Sequence, residues 1–183
     1  MQPIEIIAQG LGMIGLVLNA LSFQRRTKTQ LIATQLISAA AFSLHFLLLN
    51  APTGCILNAI SVFRAIVFTN EEKFKAKRLF WLPIFFSLFF TTYVLVFTKF
   101  GVEATAKNLT IELMPVIAMC VSTISFRTKK AATVRKLSLI NSPLWLVYDF
   151  LTGSIGGTAG ETINLVSIII GIIRLDVKKT EKQ

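Results

Sequence analysis

Apolar residues arrive along this chain in long blocks separated by short polar connections, and the blocks fall at about 4–23, 31–49, 54–69, 79–98, 109–126, 133–151 and 156–174. A helix needs roughly 17–25 apolar residues to cross the hydrocarbon of a bilayer. The pattern therefore predicts seven transmembrane helices. The third block is the weakest of the seven as a span, being short and holding Arg64. The connections QRRTKTQ, NAPT, NEEKFKAKR, KFGVEATAKN, RTKKAA and TGSI leave no room for a soluble domain.

Composition strengthens this reading. Of 183 residues 54% are hydrophobic and only 15% charged, with a mean hydropathy of +0.68; a soluble domain carries about a quarter charged residues. Nearly the whole chain belongs in the lipid bilayer. A formal charge of +10 would suggest nucleic acid in a soluble protein, but here the basic residues are confined to short loops. They read as topology signals, so no nucleic-acid partner is expected.

Lysine and arginine near span ends stay on the cytoplasmic side. Arg25, Arg26, Lys28, Lys73, Lys75, Lys77, Arg78, Arg127, Lys129 and Lys130 fall in the first, third and fifth connections, and Lys178, Lys179 and Lys182 in the tail. The second and sixth connections hold none, and the fourth holds only Lys99 and Lys107. Seven spans with the N-terminus outside and the C-terminus in the cytoplasm satisfy this distribution. The opening MQPIEIIAQGLGMIG lacks a basic n-region and carries Glu5, so it reads as a retained span rather than a cleaved signal peptide. Cys55 and Cys120 lie inside apolar blocks without a CxxC spacing and read as small hydrophobes.

Sliding the sequence on itself by 103 residues brings Ser22-Phe23 onto Ser125-Phe126, Leu36-Ile37 onto Leu139-Ile140, and Gly54 onto Gly157. Hydropathy, basic loops and the neutral turn superpose at the same offset. Blocks 1–3 match blocks 5–7, and block 4 has no partner. Two three-span units joined directly would be inverted, because three is odd; one extra span restores a parallel arrangement about an axis along the membrane normal. The expected fold is all-α: a first triple-helix repeat (1–69), a cytoplasmic loop and lipid-facing linker helix (70–98), a second triple-helix repeat (99–174) and a cytoplasmic tail (175–183).

Ionisable and amide groups inside spans are costly and normally face protein or water. Spaced at about 100° per residue, Gly157, Gly160, Glu161, Asn164, Ser167 and Gly171 share one arc of the seventh block. Gly54, Asn58, Ser61 and Ala65 form a narrower stripe on the third. Asn58 and Asn164 become equivalent if the seventh block takes three extra residues after Gly157. Two readings fit these stripes. Small-xxx-small faces pack helices closely; the same faces could line a pocket on the axis between repeats.

Further polar positions line up less cleanly. Gly12, Gly15 and Asn19 share a face of the first block, and Glu112, Pro115 and Ser122 are the fifth block's equivalents of Gln9, Gly12 and Asn19. Pro115 removes a backbone hydrogen bond and is a candidate hinge. His45, Glu112 and Asp149 are candidates for a polar or proton relay, with simple interfacial hydrogen bonding as the alternative for His45. Arg64 is expected to snorkel to the headgroups. No metal-ligand spacing, nucleophile elbow or phosphate loop occurs, so neither an enzyme nor a metal or other cofactor is expected.

The segments LLLNAPTGCILNAI and TGSIGGTAGETINLVSIIIGIIR, with the PV of ELMPVIAMCVST, resemble the YgjV family of bacterial inner-membrane proteins. The resemblance spans almost the full length and implies a location more than an activity. The three-plus-one-plus-three layout more distantly resembles the SWEET and PQ-loop (MtN3-like) transporters. It implies that Asn58 and Asn164 match the facing asparagines that contact sugar in those proteins. The proline-glutamine hallmark is absent: Gly12 stands there in the first repeat and Pro115-Val116 in the second.

The chain is thus expected to be a seven-helix inner-membrane carrier moving a small polar solute by alternating access. Asn58, Asn164, Glu161, Asn19, Ser61 and Ser167 are the expected solute-binding residues. The rival expectation is a non-transporting membrane scaffold whose polar stripes are packing surfaces. The sequence leaves the solute and any homo-oligomer open.

Overall fold

The computed structural model describes residues 3–49, 52–76, 79–152 and 155–177. Lys77, Arg78, Lys178, Lys179 and Lys182, and parts of the NAPT and TGSI connections, lie outside the described residues. Each apolar block forms a helix: α1 (Pro3–Ser22), α2 (Lys28–Leu48), α3 (Pro52–Thr69), α4 (Trp81–Thr98), α5 (Ala106–Phe126), α6 (Ala131–Leu151) and α7 (Ile155–Ile172). A π turn, Ile173–Val177, continues α7, and no strand occurs among the described residues. Two helices begin at a capping threonine. Thr27 accepts from the Gln30 amide at 3.2 Å to start α2, and Thr105 accepts from Asn108 at 3.2 Å to start α5, each satisfying a backbone donor that has no intrahelical partner.

Among the described residues, five helical stretches are long and apolar enough to cross a membrane: Pro3–Ser22, Lys28–Leu48, Trp81–Thr98, Ala106–Phe126 and Gly156–Val177. The apolar part of α3, Gly54–Thr69, is shorter. The other exception is α6, which carries Arg135, Lys136 and Asp149. Its position explains how it tolerates Arg135 and Asp149, while Lys136, near its start, is exposed. α6 lies between α5 and α7 just as α2 lies between α1 and α3, so polar groups on α6 can meet protein instead of lipid. α4 touches α3 and α5, and the two three-helix groups meet where α1 packs on α7 and α2 on α6.

Side chains divide accordingly. On α1, Ile6, Ile7 and Met13 are exposed; in a bilayer this is the surface that meets acyl chains. α4 does more than face lipid. Phe85 and Phe89 are fully buried, and Phe85 packs against Phe63, Phe68 and Trp81 while Phe90 points outward. Phe68 in turn meets Phe126 of α5 edge-on at 6.1 Å. An aromatic core therefore glues α4 to both groups, and the Trp81 indole donates to the Phe74 carbonyl at 2.9 Å to fix the loop before it. Lys28 is buried in an ion pair with Glu71 at the same end of the bundle.

Candidate functional site

α7 fits its small and polar face into the groove between α6 and α1. On the α6 side, Gly157 leaves room for the Asp149 carboxylate, which would collide with any added Cβ. One turn on, the Glu161 carboxylate accepts from the Ser142 hydroxyl through one oxygen and from Asn164 Nδ2 at 3.1 Å through the other. Ser142 and Asn164 are both buried, Asn164 to 4% exposure, and the Asn164 Oδ1 has no partner. On the α1 side, Gly160 faces Leu16, the Ser167 hydroxyl donates to the Ala20 carbonyl at 2.5 Å, and Gly171 presses on the Phe23 carbonyl. Gln24 then reaches back to the Ser167 carbonyl at 2.7 Å and its hydroxyl at 3.0 Å. The arc seen in the sequence is one face serving two neighbours.

α3 lies against α2 and reaches α5. Gly54 gives space to the Phe46 ring, and the Asn58 amide turns back onto the Gly54 carbonyl of its own helix at 2.8 Å. Ser61 donates to the Leu57 carbonyl at 2.9 Å and lies 3.9 Å from the Met119 sulfur. Arg64 is only 5% exposed, and its Nη1 donates to the Met119 carbonyl at 3.0 Å and to Thr123 Oγ1 at 3.2 Å. The expected snorkelling does not occur: Phe126 and Phe89 lie over the guanidinium at 4.8 and 5.8 Å, and this stacking with the two acceptors holds it inside.

Several contacts recur at the offset of 103 residues. Gly54 meets Phe46 and Gly157 meets Asp149; Ser22 donates to the Asn19 carbonyl and Ser125 to that of Ser122; Arg64 reaches Thr123 and Ser167 reaches Ala20. The bounds of α2 and α6, and of α3 and α7, are also offset by 103. At this constant spacing Asn58 corresponds to Glu161 and Ser61 to Asn164, without the three extra residues that pairing Asn58 with Asn164 requires. No hydrogen bond among the described residues joins Asn58 to Asn164; each amide belongs to its own network.

The remaining predicted residues are dispersed. The His45 Nδ1 donates to the Ala8 carbonyl at 2.7 Å, with Gly12 packed beneath the ring. A carbonyl only accepts, so Nδ1 carries the proton. Tyr148 points its hydroxyl at both oxygens of Glu112 at a long 3.4 Å. The Asn19 side chain is half-buried. α5 remains helical through Pro115, which is buried. Sequence reasoning missed Ser142, the hydroxyl that completes the Glu161 cluster. Its signal was the seven-residue spacing from Asp149 on α6, two turns along one face.

These features define a polytopic helical membrane protein in which Arg64, Arg135 and Asn164 are buried among the helices. The chain belongs to the Imp-YgjV family, described as bacterial inner membrane protein, whose match covers residues 6–179. It is similar to the inner membrane protein YgjV of Escherichia coli strain K12, with 29% identity over 171 residues covering 92% of this chain and 84% of that one. No solved structure matches the chain. The protein is a multi-pass protein of the bacterial inner membrane.

Proposed function

We propose that the protein carries a small polar solute across the inner membrane by alternating access between two parallel three-helix repeats. The repeats are α1–α3 and α5–α7, with α4 as linker in a SWEET-like arrangement, the N-terminus outside and the C-terminus in the cytoplasm. The observation that carries this reading is the half-buried Glu161 held by buried Ser142 and Asn164, with the Asn164 Oδ1 unpaired. Leaving a buried acceptor unsatisfied costs about 1–3 kcal/mol. A surface that only packs helices gains nothing from that cost, whereas a binding site recovers it when a solute donor arrives. The recurrence of contacts at 103 residues supports the two-repeat arrangement. Glu161 and Asn164 bind the solute in this scheme, and Asn58 and Ser61 hold the corresponding places in the first repeat.

A scaffold role draws on a different observation: Ser167, the Gln24 amide nitrogen and Gly171 join α7 to α1, and the Gln24 Oε1 is unpaired as the Asn164 Oδ1 is. A thermal-shift screen of the purified protein against a metabolite panel separates the readings, because a bound ligand raises Tm by mass action. The carrier reading expects a stabilising metabolite that is also taken up by proteoliposomes, with both effects lost in Asn164→Ala. Uptake that survives Asn164→Ala and Glu161→Gln unchanged removes the cluster from the mechanism.

A further inference from the structure

We infer that the cluster between α6 and α7 binds a solute through a protonated amino group, so that the carried molecule is a primary or secondary ammonium ion. The inference deepens the carrier reading and rests on it for transport, but its first statement is about binding.

The argument begins with charge. Glu161 accepts hydrogen bonds only from neutral groups, the Ser142 hydroxyl and the Asn164 amide. Neither α7 nor α1, which packs on it, contains a lysine or arginine. The basic residues of α6, Arg135 and Lys136, precede Ser142 by six or more positions, about 9 Å along the helix. Asp149 adds a second carboxylate on the same α6–α7 seam, one turn of α7 from Glu161. Among the described residues this stretch of the seam holds two carboxyl groups and no lysine or arginine, and a carboxyl group so placed either stays protonated or takes a positive partner for its charge.

Hydrogen-bond capacity then narrows the ligand. A primary ammonium group presents three N–H donors and a secondary one two, and neither has an acceptor. The seam presents acceptors: the unpaired Asn164 Oδ1, the remaining lone pairs of Glu161, and the Ser142 oxygen, whose proton is committed to Glu161. A hard metal ion such as calcium collects about six to eight oxygens, more than these side chains supply. A neutral hydroxylated solute would satisfy Asn164 but leave an ionised Glu161 without a positive partner.

The test measures Tm of the detergent-purified, full-length protein against ethylammonium chloride, with sodium chloride and tetramethylammonium chloride at equal ionic strength. Ethylammonium is expected to raise Tm in a saturable way while the other two salts do not. Glu161→Gln and Ser142→Ala should each weaken the apparent affinity about tenfold or more, the scale of a lost charge-assisted hydrogen bond. Should Glu161→Gln fail to fold, Ser142→Ala and Asn164→Ala carry the comparison. An equal shift with sodium assigns the site to a metal cation and overturns the inference. An equal shift with tetramethylammonium, which has no N–H, overturns it too, as does no shift with ethylammonium. Transport is read separately, as the current that an ethylammonium jump evokes in proteoliposomes adsorbed on a solid-supported membrane. Saturable binding without current leaves the ammonium site standing and overturns the carrier reading. Uptake of a neutral solute without ethylammonium binding does the reverse.

Discussion

Arg135 of α6 grips Asp176 of the π turn at two points, Nε to Oδ2 at 2.9 Å and Nη2 to Oδ1 at 2.5 Å. Its remaining nitrogen donates to the Arg25 carbonyl at 2.9 Å and lies 3.4 Å from that of Phe23. One guanidinium, 2% exposed, thereby joins α6, the end of α7 and the α1–α2 connection. Bidentate pairing of this kind uses the planar fork that only arginine has.

Removing one partner of a buried pair leaves the other charge uncompensated, at about 3–5 kcal/mol. Arg135→Ala and Asp176→Ala are each expected to lower Tm sharply, and the double variant to lose much less than the two losses added. Thermal unfolding of the four proteins in one detergent closes the cycle; strict additivity would show that the pair is not coupled.

The glycines of α7 are expected to separate into two classes. An added Cβ at Gly171 would come 2.5 Å from the Phe23 backbone carbonyl, which cannot move without shifting α1. Gly156 has nothing within 4 Å. Gly171→Ala should therefore destabilise by loosening α1 from α7, while Gly156→Ala should be neutral or gain up to about 1 kcal/mol from helix propensity. Parallel Tm measurements check the contrast, and equal losses at both positions would refute the α1–α7 contact.

The helices were legible in the sequence because a bilayer demands a long apolar block for each, and these blocks contain few exceptions. The polar face of α7 was legible in part. Spacing places Glu161, Asn164 and Ser167 on one arc of α7, but angles do not say which neighbour stands in which direction. Only the packing assigns Glu161 to Ser142 of α6 and Ser167 to Ala20 of α1. The Arg135–Asp176 pair spans 41 residues, so no local pattern announces it. Arg64 misled for a related reason: snorkelling is the default for a lone charge near a helix end, and the aromatic pair that retains it comes from α4 and α5.

α4 offers a test of which face carries the bundle. Phe85 is fully buried among rings, while Phe90 is 57% exposed on the opposite side. Phe85→Ala should cost about 3–5 kcal/mol, the usual range for a buried phenylalanine. Phe90→Ala should change Tm little. If both substitutions are tolerated, α4 is a spacer with no structural contact to maintain.

The proposed orientation makes a prediction of its own. A fluorescent protein fused after Gln183 should fluoresce, and a periplasm-dependent phosphatase fused there should stay inactive, since lysine and arginine hold flanking loops in the cytoplasm. A cysteine introduced at Glu103, exposed in the α4–α5 connection, should label from the periplasmic side. The opposite pattern overturns the proposed orientation.

Arg64 supplies the sharpest distinction between charge and shape. Its Nη1 shares the Met119 carbonyl with Thr123, whose hydroxyl donates to the same oxygen at 2.8 Å. Removing the guanidinium therefore strands no acceptor, because Thr123 continues to satisfy that carbonyl. Arg64→Met keeps most of the volume, gives up the ring stacking, and relieves the burial of a charge that has no hydrogen-bonded carboxylate; its net cost should be within about 1 kcal/mol, as for other buried ions replaced by apolar groups. Arg64→Lys keeps the charge but loses the planar stack over Phe126, and an ammonium is more strongly hydrated than a guanidinium. It should be the worse variant by about 1–3 kcal/mol, the penalty of a buried polar group left short of partners. The stability order wild type, Met, Lys would mark Arg64 as a packed and stacked cation; the order wild type, Lys, Met would mean that positive charge itself is required there.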